Sequence, residues 1–359
     1  MNIILPNNSL ISSLVALSIS AKTDYDVTVK KQNLNSANRL YSLNYFTKNY
    51  LDDLQIWKLL DKQKITPYKK IEIYKDKEKT IEFNASDVNV DFLGYIINED
   101  DLVKIISNKV SNDKKIKKLD NIPLTTGKDS LNIISNHNDI FSNEDSINFV
   151  SKDYKQTAVN ITFRHSNKNM GIPRQIFYKD EILGLLPVNE NMYNLIWTMP
   201  NYIYKKVNSL NHDQYGKLIN DRTSFLLGDI SEIEKGKSFP LSSRHANKYF
   251  YNNYFLIGDS AHKFHPLAGL GLNMGIEDIA TLTHLISSNY KLRKIATEYC
   301  IKRISRNYSL QKLLDIIIYF HSSKVIPREY QIRILRLFNK SLFLKPNIIS
   351  QATGLDYMF

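Results

Sequence analysis

The residues best suited to chemistry lie in one stretch, Leu256 to Asp278, which reads LIGDSAHKFHPLAGLGLNMGIED. An apolar run ends in Gly258-Asp259. Then come Ala261-His262, His265-Pro266, the glycines Gly269 and Gly271, and Asn273 at the start of a helical repeat. Strand, tight loop and helix N-terminus is an order that brings bare backbone against a polar, anionic ligand. Gly258 allows a sharp turn after the strand, and the Asp259 carboxylate can accept hydrogen bonds from sugar or ribityl hydroxyls. Gly269 and Gly271 remove side chains where a planar ring would have to meet the main chain. From Asn273 the stripe Ile276, Ile279, Leu282 and Ile286 has helical spacing, so the first N–H groups and the positive dipole end face the ligand. His262 and His265 stand in H-x-x-H spacing, but no nearby Cys or Glu completes a metal set, so no metal is expected.

These residues need a scaffold. Ile3-Ile4-Leu5 reads as a short buried strand, Leu10 to Ser20 as an apolar helix and Asp26 to Lys30 as a second strand, the start of a Rossmann-like βαβ unit. Ile71 to Tyr74 and Thr80 to Phe83 alternate with period two and predict a hairpin. A helix is expected from about Asp101. Between Tyr154 and Pro200, alternating runs with short polar turns predict an antiparallel sheet. Two or three helical stretches rich in Lys and Arg follow from Tyr290 to Phe359.

With 359 residues, 43% of them hydrophobic, the chain can bury one large core or two moderate ones. The single cysteine, Cys300, excludes an internal disulfide framework, fits a reducing compartment and reads as a packing residue. A net charge of +12 would suit nucleic acid or an anionic membrane. Lys, Asn and Ile are spread throughout, however, and no nucleic-acid motif with interleaved aromatics occurs. Ser9 to Ala21 imitates a signal-peptide apolar region, but Met1 to Asn8 carries no Lys or Arg. The run is also too short and polar to span a bilayer. It is read as a buried helix of the βαβ unit, and the protein as cytoplasmic.

The 256–278 stretch resembles the second FAD-binding motif of the aromatic-ring flavoprotein monooxygenases, in particular the ubiquinone-biosynthesis hydroxylases with their pattern GD-(A/S)-AH-x-x-HPLAG-Q-G-x-N-x-G-x-x-D. Gly258, Asp259, Ala261, His262, His265 to Gly269, Gly271, Asn273, Gly275 and Asp278 all match, and Leu270 stands where that family carries Gln. Arg39 with Leu43 and Leu54 to Trp57 resembles the family's "R-x-x-x-L…LG-x-W" helix, and Leu93 to Asn98 its "LGY-V-V-E-N". The resemblance runs over nearly the whole chain and is strongest from about residue 154, through Tyr154 to Val159, Gly184 to Pro187 and Trp197 to Pro200.

Three places depart from the family. Asn7, Ser9 and Ser12 stand where the G-x-G-x-x-G glycines belong, and Lys31 or Gln32 where the ribose-binding acid belongs. Asp100 replaces a flavin-contacting Arg. Around His137, Asn138 and Asp139 the GADG-x-x-S motif is eroded.

The resemblance implies an α/β fold: a discontinuous Rossmann-like FAD-binding domain (1–66, 93–150 and 242–295), an antiparallel-sheet substrate domain (67–92 and 151–241) and a C-terminal helical region (296–359). It implies FAD as cofactor, held by Gly258, Asp259, Gly269, Gly271, Leu272, Asn273 and Arg39, with NAD(P)H as co-substrate. Pro266 and His265 would lie beside the reacting ring. The implied reaction is monooxygenation of a lipid-soluble polyprenylated phenol in ubiquinone biosynthesis. Two C-terminal stretches, Leu313 to Phe320 and Ile332 to Phe343, combine apolar faces with basic residues. They read either as helices lying on an anionic membrane surface or as a cap on the FAD domain. The departures leave a second reading open: a non-catalytic descendant with impaired FAD binding that partners other quinone-biosynthesis proteins.

Overall fold

The computed structural model describes residues 2–31, 39–122, 124, 130–136, 147–167, 171–288 and 290–357. It opens with the expected βαβ unit: β1 (Asn2–Leu5), α1 (Leu10–Lys22) and β2 (Asp26–Lys30), with the two strands parallel and Ile4 opposite Thr28. The Ser9 side chain caps α1 by accepting the Ser12 N–H at 3.0 Å. Ser12 to Ser20 is buried, so this serine-rich apolar run is an interior helix. Adding β8 (Ile116–Leu119), β9 (Ser130–Ile134), β15 (Phe250–Tyr251) and β16 (Tyr254–Leu256) completes a sheet in the order β15-β16-β9-β1-β2-β8. All its pairings except β15 with β16 are parallel.

A second sheet of eight strands runs β17-β14-β10-β13-β12-β11-β5-β6. Its members are β5 (Lys70–Lys75), β6 (Glu78–Asn84), β10 (Phe149–His165), β11 (Arg174–Phe177), β12 (Ile182–Asn189), β13 (Met192–Pro200), β14 (Ile230–Ala246) and β17 (His262–Lys263). The β5–β6 hairpin forms as its alternation predicts. Phe163, Leu183, Leu195 and Trp197 alternate inward to make its core, closed by Tyr215 and Ile219 of α5 (His212–Leu227) after the short α4 (Asn201–Asn208).

A third, antiparallel sheet sits between the other two in chain order: β3 (Leu40–Asn44), β7 (Gly94–Asn98) and β4 (Thr66–Tyr68). Here the structure corrects the expected "R-x-x-x-L" helix. Leu40 to Asn44 is a strand because it pairs along its length with Gly94 to Asn98, and the helix begins only after Asn44. The Asn44 side chain caps that helix, α2 (Tyr45–Asp53), at Thr47 N. The helix expected near Asp101 is α3 (Glu99–Asn112).

The motif helix, α6 (Gly271–Ser287), is buried along Asn273 to Thr283 and packs on α1. Three more helices follow, α7 (Leu292–Ser322), α8 (Arg328–Asn339) and α9 (Leu344–Thr353). Cys300 lies on α7, packed against the main core. No helix among the described residues is long and apolar enough to cross a membrane.

Candidate functional site

The site is built around a turn. After β16, the Ile257 N–H donates to Ile134 O at 2.9 Å, and the chain then reverses at Gly258 with φ of +54°. The Gly258 N–H donates to Asp278 Oδ2 at 2.9 Å. That carboxylate is fully buried and also meets His262 Nε2 at 2.6 Å, Arg303 Nε at 2.6 Å and Asn307 Nδ2 at 3.2 Å. Burial alone would raise its pKa, but the charges of His262 and Arg303 overcome this and hold it at about 2. His262 is thus part of the support for the turn. Asp259, one residue after Gly258, is left exposed. Its carbonyl accepts Arg244 Nη2 at 2.6 Å, and it borders an open groove of about 600 Å³ lined also by Asn136, Lys152, Arg244 and Lys263.

The next loop is clamped from two sides. His265 is buried; its Nδ1 accepts the Leu267 N–H at 3.2 Å, and its Nε2 lies 3.4 Å from Gln156 Oε1. Burial depresses its pKa to about 4, so the ring is neutral near pH 7. Gln175 Nε2 donates to Leu267 O at 2.7 Å, tying the loop to the second sheet, while Pro266 stays half-exposed. Gly269 has φ of +61°. Gly271 opens α6 on the surface, and nothing lies within 4 Å of where a Cβ would sit. The helix has no side-chain cap there, so its first N–H groups face that open space. Leu272 is half-exposed beside it.

Asn273 is buried. Its Oδ1 accepts the Asn44 N–H at 3.0 Å and its Nδ2 donates to Ser42 O at 2.9 Å, joining α6 to β3. Leu270, the residue that departs from the family pattern, packs with Phe264, Met274, Leu310 and Leu314 under α7.

β3 forms the facing wall. Arg39 is largely exposed, its guanidinium 3.9 Å from the Glu99 carboxylate. Tyr41 donates its hydroxyl to Glu99 at 2.6 Å. Burial, then that bond, push the Tyr41 phenol up, and the charges of Arg39 and Asp259 are both felt there. Tyr41 therefore lies within electrostatic reach of both Arg39 and Asp259, and β3 meets the start of α6 through Asn273.

At the other end of this region the β1–α1 turn has a different construction from a glycine loop. Asn7 Oδ1 accepts the N–H groups of Ser135 (2.9 Å) and Asn136 (3.4 Å), and Ser9 and Ser12 hydrogen-bond the Ser135 hydroxyl at 2.6 and 2.8 Å. The side chains that stand where glycines were expected knit α1 to the end of β9. Ser9 takes only the Ser12 amide, which leaves the Leu10 and Ile11 N–H groups at the positive end of α1. Gly275 explains the close packing behind them, since a Cβ there would come within 2.7 Å of Ile11. Lys31 is exposed and pairs with Asp120 at 2.9 Å. Gln32, His137, Asn138 and Asp139 lie outside the described residues. Asp100 sits with Glu99 and Asp101 in the first turn of α3, where acids favour the helix dipole.

A flavin dinucleotide fits these residues. The open space at Gly271 leaves room for a planar ring, exposed Asp259 could accept from a polyol chain, and the first-turn amides of α1 could meet a phosphate. Among the described residues no group of three or more His, Cys, Asp or Glu side chains could hold a metal. Sequence reasoning did not single out Tyr41, Glu99, Gln156, Gln175 or Arg244. Each acts across a long chain separation, and only the motif's own His262 and Asp278 carried a legible trace of the turn's support.

Residues 134–298 match the family described as FAD binding domain. The chain is 28% identical over 231 residues to "Ubiquinone biosynthesis monooxygenase COQ6, mitochondrial" of Xenopus tropicalis, covering 53% of this chain and 50% of that protein. It is 22% identical to "3-demethoxyubiquinol 3-hydroxylase" of Escherichia coli, covering 88% and 87%. Apart from that broad match, the chain spans about half the length of the first curated relatives it matches. Among solved structures, p-nitrophenol 4-monooxygenase PnpA of Pseudomonas putida superposes with a TM-score of 0.76 at 12% identity, covering 98% of each chain. That likeness is one of fold.

Proposed function

From its match to an FAD binding domain and its similarity to ubiquinone-biosynthesis hydroxylases, we propose that this chain is a flavoprotein monooxygenase of that family. Its substrate would be a lipid-soluble polyprenylated phenol on the way to ubiquinone, with NAD(P)H as reductant and O₂ as oxidant. The observation that carries this reading is the Gly258–Asp259 turn, held by the buried Asp278 and leaving Asp259 exposed, followed by half-exposed Pro266 and the open backbone at Gly271.

When bound, FAD supplies the redox and oxygen-transfer chemistry. The protein's part is to bind, orient and exclude water. Asp259 would accept hydroxyl hydrogen bonds from the cofactor, and the uncapped start of α6 at Gly271 and Leu272 would favour negative charge beside it. His265, buried and neutral, fixes the Leu267 amide and so the position of Pro266. Asn273 holds α6 against β3, keeping the two walls in register. Arg39 supplies positive charge beside Tyr41 and Glu99. The segments 1–66, 93–150 and 242–295 make the cofactor side of this arrangement, 67–92 and 151–241 the substrate side, and 296–359 the C-terminal helices. The fully supported Gly258–Asp259 turn favours a working site over a non-catalytic descendant. Other quinone-biosynthesis proteins are the natural suppliers of such a substrate.

The test is turnover with a prenylated phenol, NADH or NADPH and O₂, read by mass spectrometry. A product one oxygen atom heavier than the phenol is expected. Reductant consumption that yields only hydrogen peroxide, with the phenol unchanged, would overturn the reading.

A further inference from the structure

Helix α8 is anchored on one face and bare on another. Gln331, Ile332 and Leu335 are buried, and Asn339 Oδ1 accepts the Glu82 N–H of β6 at 2.9 Å. Arg328 and Arg336 pair with Asp76 and Glu78 on the same hairpin, so the helix is fixed to the edge of the second sheet. On the outward side Tyr330, Ile334 and Leu337 recur at helical spacing and are 57%, 48% and 70% exposed. The turn into α9 continues the patch with Leu342 at 96%, Phe343 at 74% and Leu344 at 54% exposed. Single exposed apolar residues are ordinary, but a run of six on one helix and the adjoining turn marks an interaction surface. Exposed Arg333 and Lys340 accompany it, and Glu329 is the only acid between 324 and 345.

We propose that this face seats the protein on the anionic surface of a phospholipid bilayer. Leu337, Leu342 and Phe343 enter the headgroup–acyl boundary while Arg333 and Lys340 meet lipid phosphates. Charge selects this occupant. A second copy of the chain docked on the same face would set Arg333 and Lys340 against themselves, whereas an anionic bilayer complements them. The location suits a lipid-borne substrate. α9 packs Ile349 against Tyr68 and Leu93, and Ile317 and Ile318 of α7 pack with Phe177, Ile182 and Leu267, next to Pro266. The bare face is therefore carried by α8 and the start of α9, which pack on the second and third sheets, while the preceding helix α7 contacts the loop at Leu267. The inference deepens the hydroxylase reading by adding where its lipid substrate is met, but it is tested without turnover.

The experiment is co-sedimentation of the whole protein with vesicles of phosphatidylcholine alone and of phosphatidylcholine mixed with phosphatidylglycerol. Binding is expected to the phosphatidylglycerol vesicles and to weaken as salt rises. The variants L342E/F343E and R333E/K340E should each bind about tenfold more weakly or less, with thermal unfolding unchanged because these side chains are exposed. Absent vesicle binding, or equal binding by wild type and L342E/F343E, overturns the proposal. A dimer in sedimentation velocity that L342E/F343E dissociates, with vesicles unbound, overturns it in favour of self-association. Vesicle binding without any hydroxylated product would remove the hydroxylase reading and leave this one standing.

Discussion

Asp278 accepts the Gly258 N–H at 2.9 Å, and through that bond helix α6 sets the turn that presents Asp259. One carboxylate thus joins the strand end, His262, and Arg303 of α7 in a single buried cluster. Of the motif's two acids, Asp278 is buried and Asp259 is left exposed.

Removing that buried charge should be costly. Asp278→Asn leaves Arg303 and His262 without their common partner, and breaking a buried pair in this way costs about 3–5 kcal/mol. Denaturant unfolding should show a loss of that order, together with weakened FAD binding. In wild type the Asp278 carboxyl sits at about 2, below the ordinary aspartate value of 3.8. Its contribution is therefore fully present above the unfolded value and lost as pH falls through the folded one. It amounts to about 2 kcal/mol. Unchanged stability in Asp278→Asn would contradict the assignment.

The buried histidines set a second, milder acid limit. Burial holds His265 at about 4, and burial with the neighbouring His262 charge holds His245 at about 4. A histidine depressed in the folded state contributes stability that is complete above its unfolded value near 6.5 and lost as pH falls toward 4. At pH 5 each costs about 2 kcal/mol. The melting temperature should fall between pH 7 and pH 5, and His265→Gln should flatten that dependence. A profile equally steep in the variant would count against a buried neutral His265.

Two glycines separate ligand space from packing. A Cβ at Gly271 would meet nothing within 4 Å, so Gly271→Leu should fold with an unchanged melting temperature, yet fill the room for the ring. FAD affinity should drop by about tenfold or more, a loss of at least ~1.4 kcal/mol. Gly275→Val, by contrast, drives a Cβ to within 2.7 Å of Ile11 and should lower stability first. Isothermal titration and thermal melts on both variants check the pair. Full FAD affinity in Gly271→Leu would place the ring elsewhere.

Restoring a glycine at the first turn should not help. Asn7→Gly removes the acceptor that serves the Ser135 and Asn136 amides, at about 1–3 kcal/mol for leaving buried donors unmet. FAD titration should show weaker binding alongside reduced stability. Tighter binding would mean that the side chain obstructs the phosphate.

What was legible in the sequence was local. The alternation of 71–74 and 80–83, the buried run 10–20 and the helical stripe from Asn273 all reappear as read. Non-local pairing was not. Leu40 to Asn44 looked like part of a helical motif, and only its partner strand at Gly94 to Asn98 makes it extended. The C-terminal helices were seen, but the length of α7 was not, because Arg303, Asn307 and Gln311 on its buried face interrupt the apolar period. The site motif was read from its residue types. Which acid faces the ligand and which holds the turn depends on burial, and Asp259 and Asp278 carry the same side chain.

The most direct test of the account is titration of the purified protein with FAD, followed by visible absorption and flavin fluorescence. The account predicts stoichiometric binding with a shifted flavin band, lost in Gly271→Leu. A protein that takes up no FAD even at high concentration, while fully folded, would contradict it.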